Sequence, residues 1–356
     1  MNRIINYSNI RYKESVILIM AFLVPTIIMA GGISKKALEE LVILKNNKIQ
    51  IGILPEVGGR VVLFRNKGKK NIFKAHPQQW ENPSQKKPEL SAFSDFKAFN
   101  GHIVWLGPQS QWWTKQNINQ ERKENKANWP PDPYLIYGNY TISQKDSQYV
   151  KMVGKESPIS GIKMTKEISI VDSNRVLFQA QATNITDSTL KWDLWMNTRL
   201  DGFAKCYVPV TENSEIEFIK EETKNRGITD YKNINGYFTL LPSQPEKKNV
   251  CIRQEVHIEP QDNFMVGIDS EQVLFVKFNK LKDKFIHEDH SQVELYSYIS
   301  DNQEENLLEL ELHGQYTKLR PGETMELTET WYLFELQNCL KQEKQLELIN
   351  KLKEEL

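Results

Sequence analysis

The chain predicts an all-β protein built as a large antiparallel sandwich with one short helix at its C-terminus. Three observations carry this expectation. Apolar and polar residues alternate over a dozen or more short runs, the period-2 pattern of strands with one face buried. Turn chemistry separates the runs, as at Asp172-Ser173-Asn174 and Arg320-Pro321-Gly322. Helical periodicity is scarce before the C-terminus, and many strands with few helices bury their apolar faces by stacking sheets.

Residues 1–32 carry the layout of a secretory signal peptide. Arg3, Arg11 and Lys13 form a basic start, Val16 to Ala30 is almost wholly apolar, and Ala30-Gly31-Gly32 offers small residues for cleavage. The apolar run is shorter than the ~20 residues a spanning helix needs, and Pro25 interrupts it. Export to a periplasmic or extracellular location is therefore expected, with no membrane span after cleavage. An uncleaved anchor is the alternative. The leader removes three basic residues and one acidic residue from a balance of 46 and 46, leaving a net charge near −2. Such a surface gives no electrostatic reason to bind nucleic acid. Cys206, Cys251 and Cys339 are odd in number and far apart, so they imply no disulfide framework, although a Cys206–Cys251 bridge is conceivable after export.

Within 33–336, expected to be one domain, the first strands are Leu41–Leu44, Ile49–Leu54 and Arg60–Phe64. Pro55-Glu56-Val57-Gly58-Gly59 forms a tight turn before Arg60, which is expected at a cleft or in solvent. Further strands are expected at Tyr137–Ser143, Ile162–Val171, Val176–Thr183, Leu190–Leu200, Gly236–Leu241, Asn249–Glu259, Val273–Phe278, Val293–Ile299, Leu307–His313 and Glu326–Phe334. Residues 337–356 place Leu340, Leu348, Ile349, Leu352 and Leu356 at helix spacing among Lys, Glu and Gln, which predicts an amphipathic helix.

The segment from His76 to Pro133 breaks this rhythm. It holds five of the eight tryptophans, Trp80, Trp105, Trp112, Trp113 and Trp129. A long irregular stretch rich in aromatics reads as a functional insertion, because disordered stretches are aromatic-poor. Indole faces beside amide, imidazole and carboxylate groups suit a sugar, whose apolar ring faces stack while its hydroxyls need fixed donors and acceptors. The alternative for each indole is a place in the core.

In the run Leu307-Leu308-Glu309-Leu310-Glu311-Leu312-His313, strand alternation puts Leu308, Leu310 and Leu312 on one face and Glu309, Glu311 and His313 on the other. Same-face neighbours stand roughly 7 Å apart, close enough for acid–base work on a substrate hydroxyl. Water-facing polar residues on a half-buried strand are the plainer reading of the same pattern.

The order of several motifs resembles the galactose mutarotase-like (aldose 1-epimerase-like) superfamily. Ile53-Leu54-Pro55-Glu56-Val57-Gly58-Gly59-Arg60-Val61-Val62 is similar to its opening strand pair. Asn100-Gly101-His102-Ile103-Val104-Trp105-Leu106-Gly107-Pro108-Gln109 and Trp129-Pro130-Pro131-Asp132-Pro133 resemble signatures of one uncharacterised family within it. Asn184-Ile185-Thr186-Asp187-Ser188 with Trp192-Asp193-Leu194-Trp195-Met196-Asn197-Thr198, then Leu308 to Gly314 and Leu319-Arg320-Pro321-Gly322-Glu323, are similar to its later strands. The resemblance spans about Leu41 to Leu336 and implies a β-supersandwich with a sugar cleft. It implies a glutamate base on the terminal strand, Glu309 or Glu311, and a histidine acid. The strand where mutarotases carry that histidine here reads Trp195-Met196-Asn197-Thr198-Arg199, without one; His102 or His313 is expected to substitute, with His102 the better placed because His313 shares the glutamates' own strand. Arg60, Trp105, Gln109, Trp129, Asp132, Asn197, Arg199 and His313 complete the expected saccharide site.

Other constellations are weaker. His287-Glu288-Asp289-His290 with Glu294 approaches metal-ligand spacing but lacks the His-Glu-x-x-His pattern and is read as a solvated loop. Calcium would be favoured over zinc there if oxygen ligands dominated. No metal or other cofactor is expected. No Gly-x-Ser-x-Gly elbow or phosphate loop occurs. The reading is an exported carbohydrate-binding protein, with epimerase chemistry at an anomeric centre as its enzymatic form. A non-catalytic envelope module, or a glycosidase using paired carboxylates, are the alternatives.

Overall fold

Strict alternation marks which face of each strand is buried. Ile162–Ile170 and Arg175–Asn184 bury every second side chain along their whole length and lie antiparallel to each other. The same logic organises a computed structural model of the chain, which describes residues 33–219, 226–269, 271–336 and 341–356. The expected signal peptide at 1–32 and Cys339 lie outside the described residues; Cys206 and Cys251 are both free.

Two sheets result, of 11 and 10 strands among the described residues. The first runs in the order Val42–Lys45, Ile49–Leu54, Arg60–Asn66, His102–Gly107, Leu190–Asp201, Leu307–His313, Val293–Ile299, Cys251–Ile258 and Ile216–Ile219, with two short strands off this path, Thr317–Leu319 on Leu190–Asp201 and Arg226–Gly227 on Cys251–Ile258. Leu190–Asp201 sits at its centre between His102–Gly107 and Leu307–His313, antiparallel to both. The second sheet runs from Asp230–Ile234 at one edge to Thr141–Lys145 at the other. Leu194, Met196, Leu200, Leu308, Leu310 and Leu312 from the first sheet meet Phe178 and Trp331 from the second in one buried cluster. Each fully buried side chain of this size contributes about 1.5–3 kcal/mol by leaving water.

The Gln342–Glu355 helix closes a second, smaller core on the far side of the second sheet. Leu346, Ile349 and Leu352 pack there with Tyr207, Phe264 and Phe275. Tyr207 Oη donates to Gln345 Oε1 at 2.6 Å and Lys353 pairs with Asp262 at 2.7 Å. Among the described residues, no helix is long and apolar enough to cross a membrane.

The strands Ile49–Leu54, Val293–Ile299 and Leu307–His313 occur with their expected bounds. Two differences bear on the site. Tyr137–Ser143 is not a strand: Pro133–Tyr137 forms a helix, begun by Pro133 and capped by the Asp132 side chain, and the strand starts at Thr141. The Trp-rich segment also contains a strand, His102–Gly107, with every residue buried. A strand covered on both faces shows no alternation to read.

Candidate functional site

The outer face of the first sheet assembles the polar residues in three rows. Register places Arg199 and Tyr296 beside Glu309, and Glu255 beside Tyr296. One step along, Asn197 and Glu294 flank Glu311, and His257 flanks Glu294. In the third row Trp195 stands between Trp105 and His313. Each row lies two residues from the next, so the rows share one face while the leucines between them face the core.

A cavity of about 470 Å³ opens over the first two rows. That volume falls within the ~300–1,000 Å³ range of small-ligand sites. Trp105, Trp129, Trp195 and Phe96 supply aromatic walls, with Tyr296 and Leu307 beside them. Arg199, Arg253, Glu255, Glu309 and Glu311 supply the charge, and Gln109 and Asn128 the amides. Trp105 meets Trp195 edge-on at 5.0 Å, and Phe96 meets Trp129 at 4.6 Å, so the walls brace one another. Trp129 remains 44% exposed at the mouth.

Glu309 and Glu311 are held differently. Arg199 Nε lies 2.6 Å from Glu309 Oε1, a charge-assisted contact with both groups buried. The Arg199 guanidinium also stands 5.6 Å from the Trp105 ring centre and 5.7 Å from that of Phe96. Glu311 accepts from Asn197 Nδ2 and hydrogen-bonds to Glu309. Burial pushes the Glu311 carboxyl well above the usual carboxylate range, and the neighbouring charges of Glu309 and Glu294 push it further. A carboxyl whose ionisation is disfavoured thus sits against the arginine-paired Glu309 on the cavity floor.

A family profile described as a domain of unknown function, DUF4380, matches residues 40–334. The chain belongs to the DUF4380 family. No curated protein sequence matches it. Among solved structures, the DUF4380 chain is similar to the Slr1438 protein from Synechocystis sp. PCC 6803, with TM-score 0.53 and 11% identity over 82% of this chain and 95% of that one. It is similarly close to a galactose mutarotase-like protein from Clostridium acetobutylicum, with TM-score 0.53 and 12% identity over 83% and 95% of the two chains. The fold is therefore galactose mutarotase-like, as the motif order implies.

Of the expected site residues, the DUF4380 fold brings Trp105, Gln109, Trp129, Arg199, Glu309 and Glu311 around one cavity. Asn197 lies under it through Glu311. His102 is displaced from the expected place. It faces the sandwich interior, its Nδ1 2.8 Å from Thr198 Oγ1, on the opposite face of the sheet from Glu309 and Glu311. Arg60 reaches neither cleft nor solvent. Its buried guanidinium donates to the carbonyls of Val57, Asn100 and Ile136, tying the glycine turn to the insertion. That turn needs Gly58: its φ is +71°, and a Cβ would lie 2.4 Å from the Ile136 carbonyl oxygen. Asp132 is a helix cap hydrogen-bonded to Ser157, and it lines a separate void of about 10 Å³ with room for one water at most. Trp80 and Trp113 are core residues.

His313 sits deeper, behind Trp195. Four of the six histidines gather there. His313 stacks on His290 at 4.1 Å, and His290 stands 6.0 Å from His257 and 6.4 Å from His287. Residues 287–290 are thus no fully solvated loop, because the His290 side chain is buried and the DUF4380 insertion holds the loop through Gln111, which reaches His287, and Ser110, which donates to Asp289. His290 Nδ1 and His257 Nε2 approach Glu294 Oε1 at 2.8 and 3.2 Å. His313 Nε2 lies 3.4 Å from Glu294 Oε2, and its Nδ1 3.3 Å from Asp193 Oδ1. Burial alone would lower the His313 pKa, but Glu294 and Asp193 outweigh it and raise it to about 9. Burial alone would raise the Glu294 carboxyl, but His313 and His290 hold it well below the usual range. Glu255, His257 and Tyr296 were not singled out from the sequence, while Glu294 stood out only for its spacing from His287 and His290 and Trp195 only within a motif. Alternation in Val293–Tyr298 marks Glu294 and Tyr296 as sharing a face, yet which strand lies beside them is a register question that alternation alone does not answer.

Proposed function

We propose that the cavity is a saccharide-binding site of an exported protein, in which Glu311 gives a proton to a sugar oxygen. The carrying observation is the Glu309 and Glu311 pair, held by Arg199 and Asn197 beneath an indole-walled cavity. Export rests on the N-terminal pattern of basic and apolar residues. Indole faces suit the apolar ring faces of a pyranose, and Arg199, Arg253, Gln109 and Asn128 suit its hydroxyls.

The same pair supports anomeric chemistry without a histidine. Glu309 takes the proton of the anomeric hydroxyl and Glu311 gives its proton to the ring oxygen. The bond between the anomeric carbon and ring oxygen breaks, the hydroxyl oxygen becomes a carbonyl, and closure on the other face reverses both transfers. A hydrogen-bonded pair is closer than the ~5–9 Å that glycosidase carboxylates need around a scissile bond, which disfavours hydrolysis. One observation favours a purely binding role: among the described residues, no histidine lines the cavity to act across the ring from the carboxylates.

Titrating the protein with a panel of aldoses and short oligosaccharides, read by tryptophan fluorescence and calorimetry, tests the binding reading. Saturable binding is expected; silence across the panel overturns it. Polarimetry on fresh α-anomers tests the chemistry. Glu311→Gln should slow equilibration to the spontaneous rate while still binding sugar, and a parent protein no faster than buffer leaves binding as the function.

A further inference from the structure

The histidine cluster behind Trp195 has a composition that the saccharide reading does not use. Glu294 is almost fully buried, and His257 and His290 direct one ring nitrogen each at its Oε1 atom. One donor atom from each of the three residues lies within 4.8 Å of the others. The three side chains come from separate places: the Cys251–Ile258 strand, the Val293–Ile299 strand and the loop that precedes it. Two imidazoles and a carboxylate converging at one buried point form the donor set of a borderline-soft divalent ion. Their present spacings of 2.8 and 3.2 Å need to widen by about 0.6 and 0.2 Å to reach the ~3.4 Å that separates ligands around a tetrahedral ion with ~2.1 Å bonds.

The surroundings match what such an ion requires. Asp193 braces His313, and His313 braces Glu294 through its second oxygen, the carboxylate–histidine–carboxylate support that orients ligands from behind. Gly107 leaves the room for this: a Cβ there would meet Asp193 Oδ1 at 2.4 Å. Glu255 Oε1 lies 3.2 Å from His257 Nε2 and also lines the cavity. It offers a fourth donor and marks a route for an ion to enter from solvent.

We propose that His257, His290 and Glu294 form a binding site for a divalent transition-metal ion of the zinc class, braced by His313 and Asp193. Nitrogen-rich donors favour zinc, cobalt or nickel over calcium. The site needs no bound sugar, and its test is separate from that of the saccharide reading.

The test uses untagged protein, stripped with a chelator and then titrated with Zn²⁺ alone by calorimetry and with Co²⁺ alone by visible absorption. One equivalent should bind, Co²⁺ should give the bands of a low-coordinate nitrogen–oxygen site, and Zn²⁺ should raise the melting temperature. His257→Ala and His290→Ala should each weaken Zn²⁺ binding by about 100-fold or more, and His313→Gln by roughly 10–100-fold. His287→Ala, outside the donor set, should bind as the parent does. A folded parent that takes up neither ion saturably overturns the proposal, as does unchanged affinity in the folded His257→Ala/His290→Ala double variant. Should the double variant not fold, the parent's titration together with the His313→Gln affinity decides.

Discussion

His102 and His313 are both fully buried and both register against the Leu190–Asp201 strand, yet they lie on opposite faces of it. The His102 ring packs edge-on to Phe178 and Trp331 at 4.4 and 4.7 Å, and its one acidic neighbour, Glu329, is 3.8 Å away. Burial, helped by the Lys166 charge, holds the His102 pKa well below its usual value. Burial likewise pushes Glu329 up to about 7, against the opposing hydrogen bond from Trp331. The interior pair is therefore close to neutral. His313 has Asp193 on one nitrogen and Glu294 on the other, and it is charged. The contrast shows that burial alone does not fix a charge state. Two bracketing carboxylates outweigh desolvation, and one carboxyl among aromatic rings does not.

The largest expected break in this contrast is Glu294→Gln. Removing the shared carboxylate leaves the His257, His290 and His313 rings without it, and breaking a buried pair from one side costs about 3–5 kcal/mol. Urea denaturation at neutral pH measures the loss. His313→Gln and Glu329→Gln should then both gain on the parent as pH rises, in different pH windows. His313 has a folded pKa raised above its unfolded value near 6.5, so its stabilisation is fully present below pH 6.5 and is lost as pH rises through about 9. The deficit of His313→Gln relative to the parent should shrink by up to ~3 kcal/mol across that window. Glu329 also has a raised folded pKa, so deprotonating this carboxyl likewise costs stability, but at lower pH: the parent weakens between its unfolded pKa near 4.5 and about 7. Glu329→Gln should therefore gain on the parent by up to ~3 kcal/mol between pH 5 and pH 8, read as melting-temperature differences at the two pH values. The smallest effect on stability belongs to the cavity rim. Trp129→Ala, at a half-open position, should cost under ~1 kcal/mol of stability while weakening sugar binding by about tenfold. Trp113→Ala, fully buried, should cost ~3–5 kcal/mol and thus separates the core indoles from the cavity indoles.

The legible parts of this molecule are those where one face of a strand is wet or polar. Leu307–His313 shows its two faces letter by letter, and both the buried leucines and the carboxylates follow from it. His102–Gly107 shows nothing of the kind, because a central strand covered on both sides reads as an apolar run inside an aromatic-rich stretch. His102 therefore looked like a free residue of the insertion, when it is an interior residue of the sheet. The Asp132-Pro133 pair carries a helix-start signal that outweighs the β-prone residues after it. The His257–Glu294–His290 grouping was legible only in its second half, His290 and Glu294, four residues apart. His257 joins them through a strand register that no local pattern encodes.

The most direct test is a crystal structure of the protein grown or soaked with an aldose that binds in titration. The account predicts the sugar ring stacked on Trp105, Trp129 or Trp195, with a sugar oxygen in hydrogen-bond reach of the Glu311 carboxyl. A sugar bound elsewhere, or a cavity closed by indoles with Glu309 and Glu311 out of reach, would contradict it.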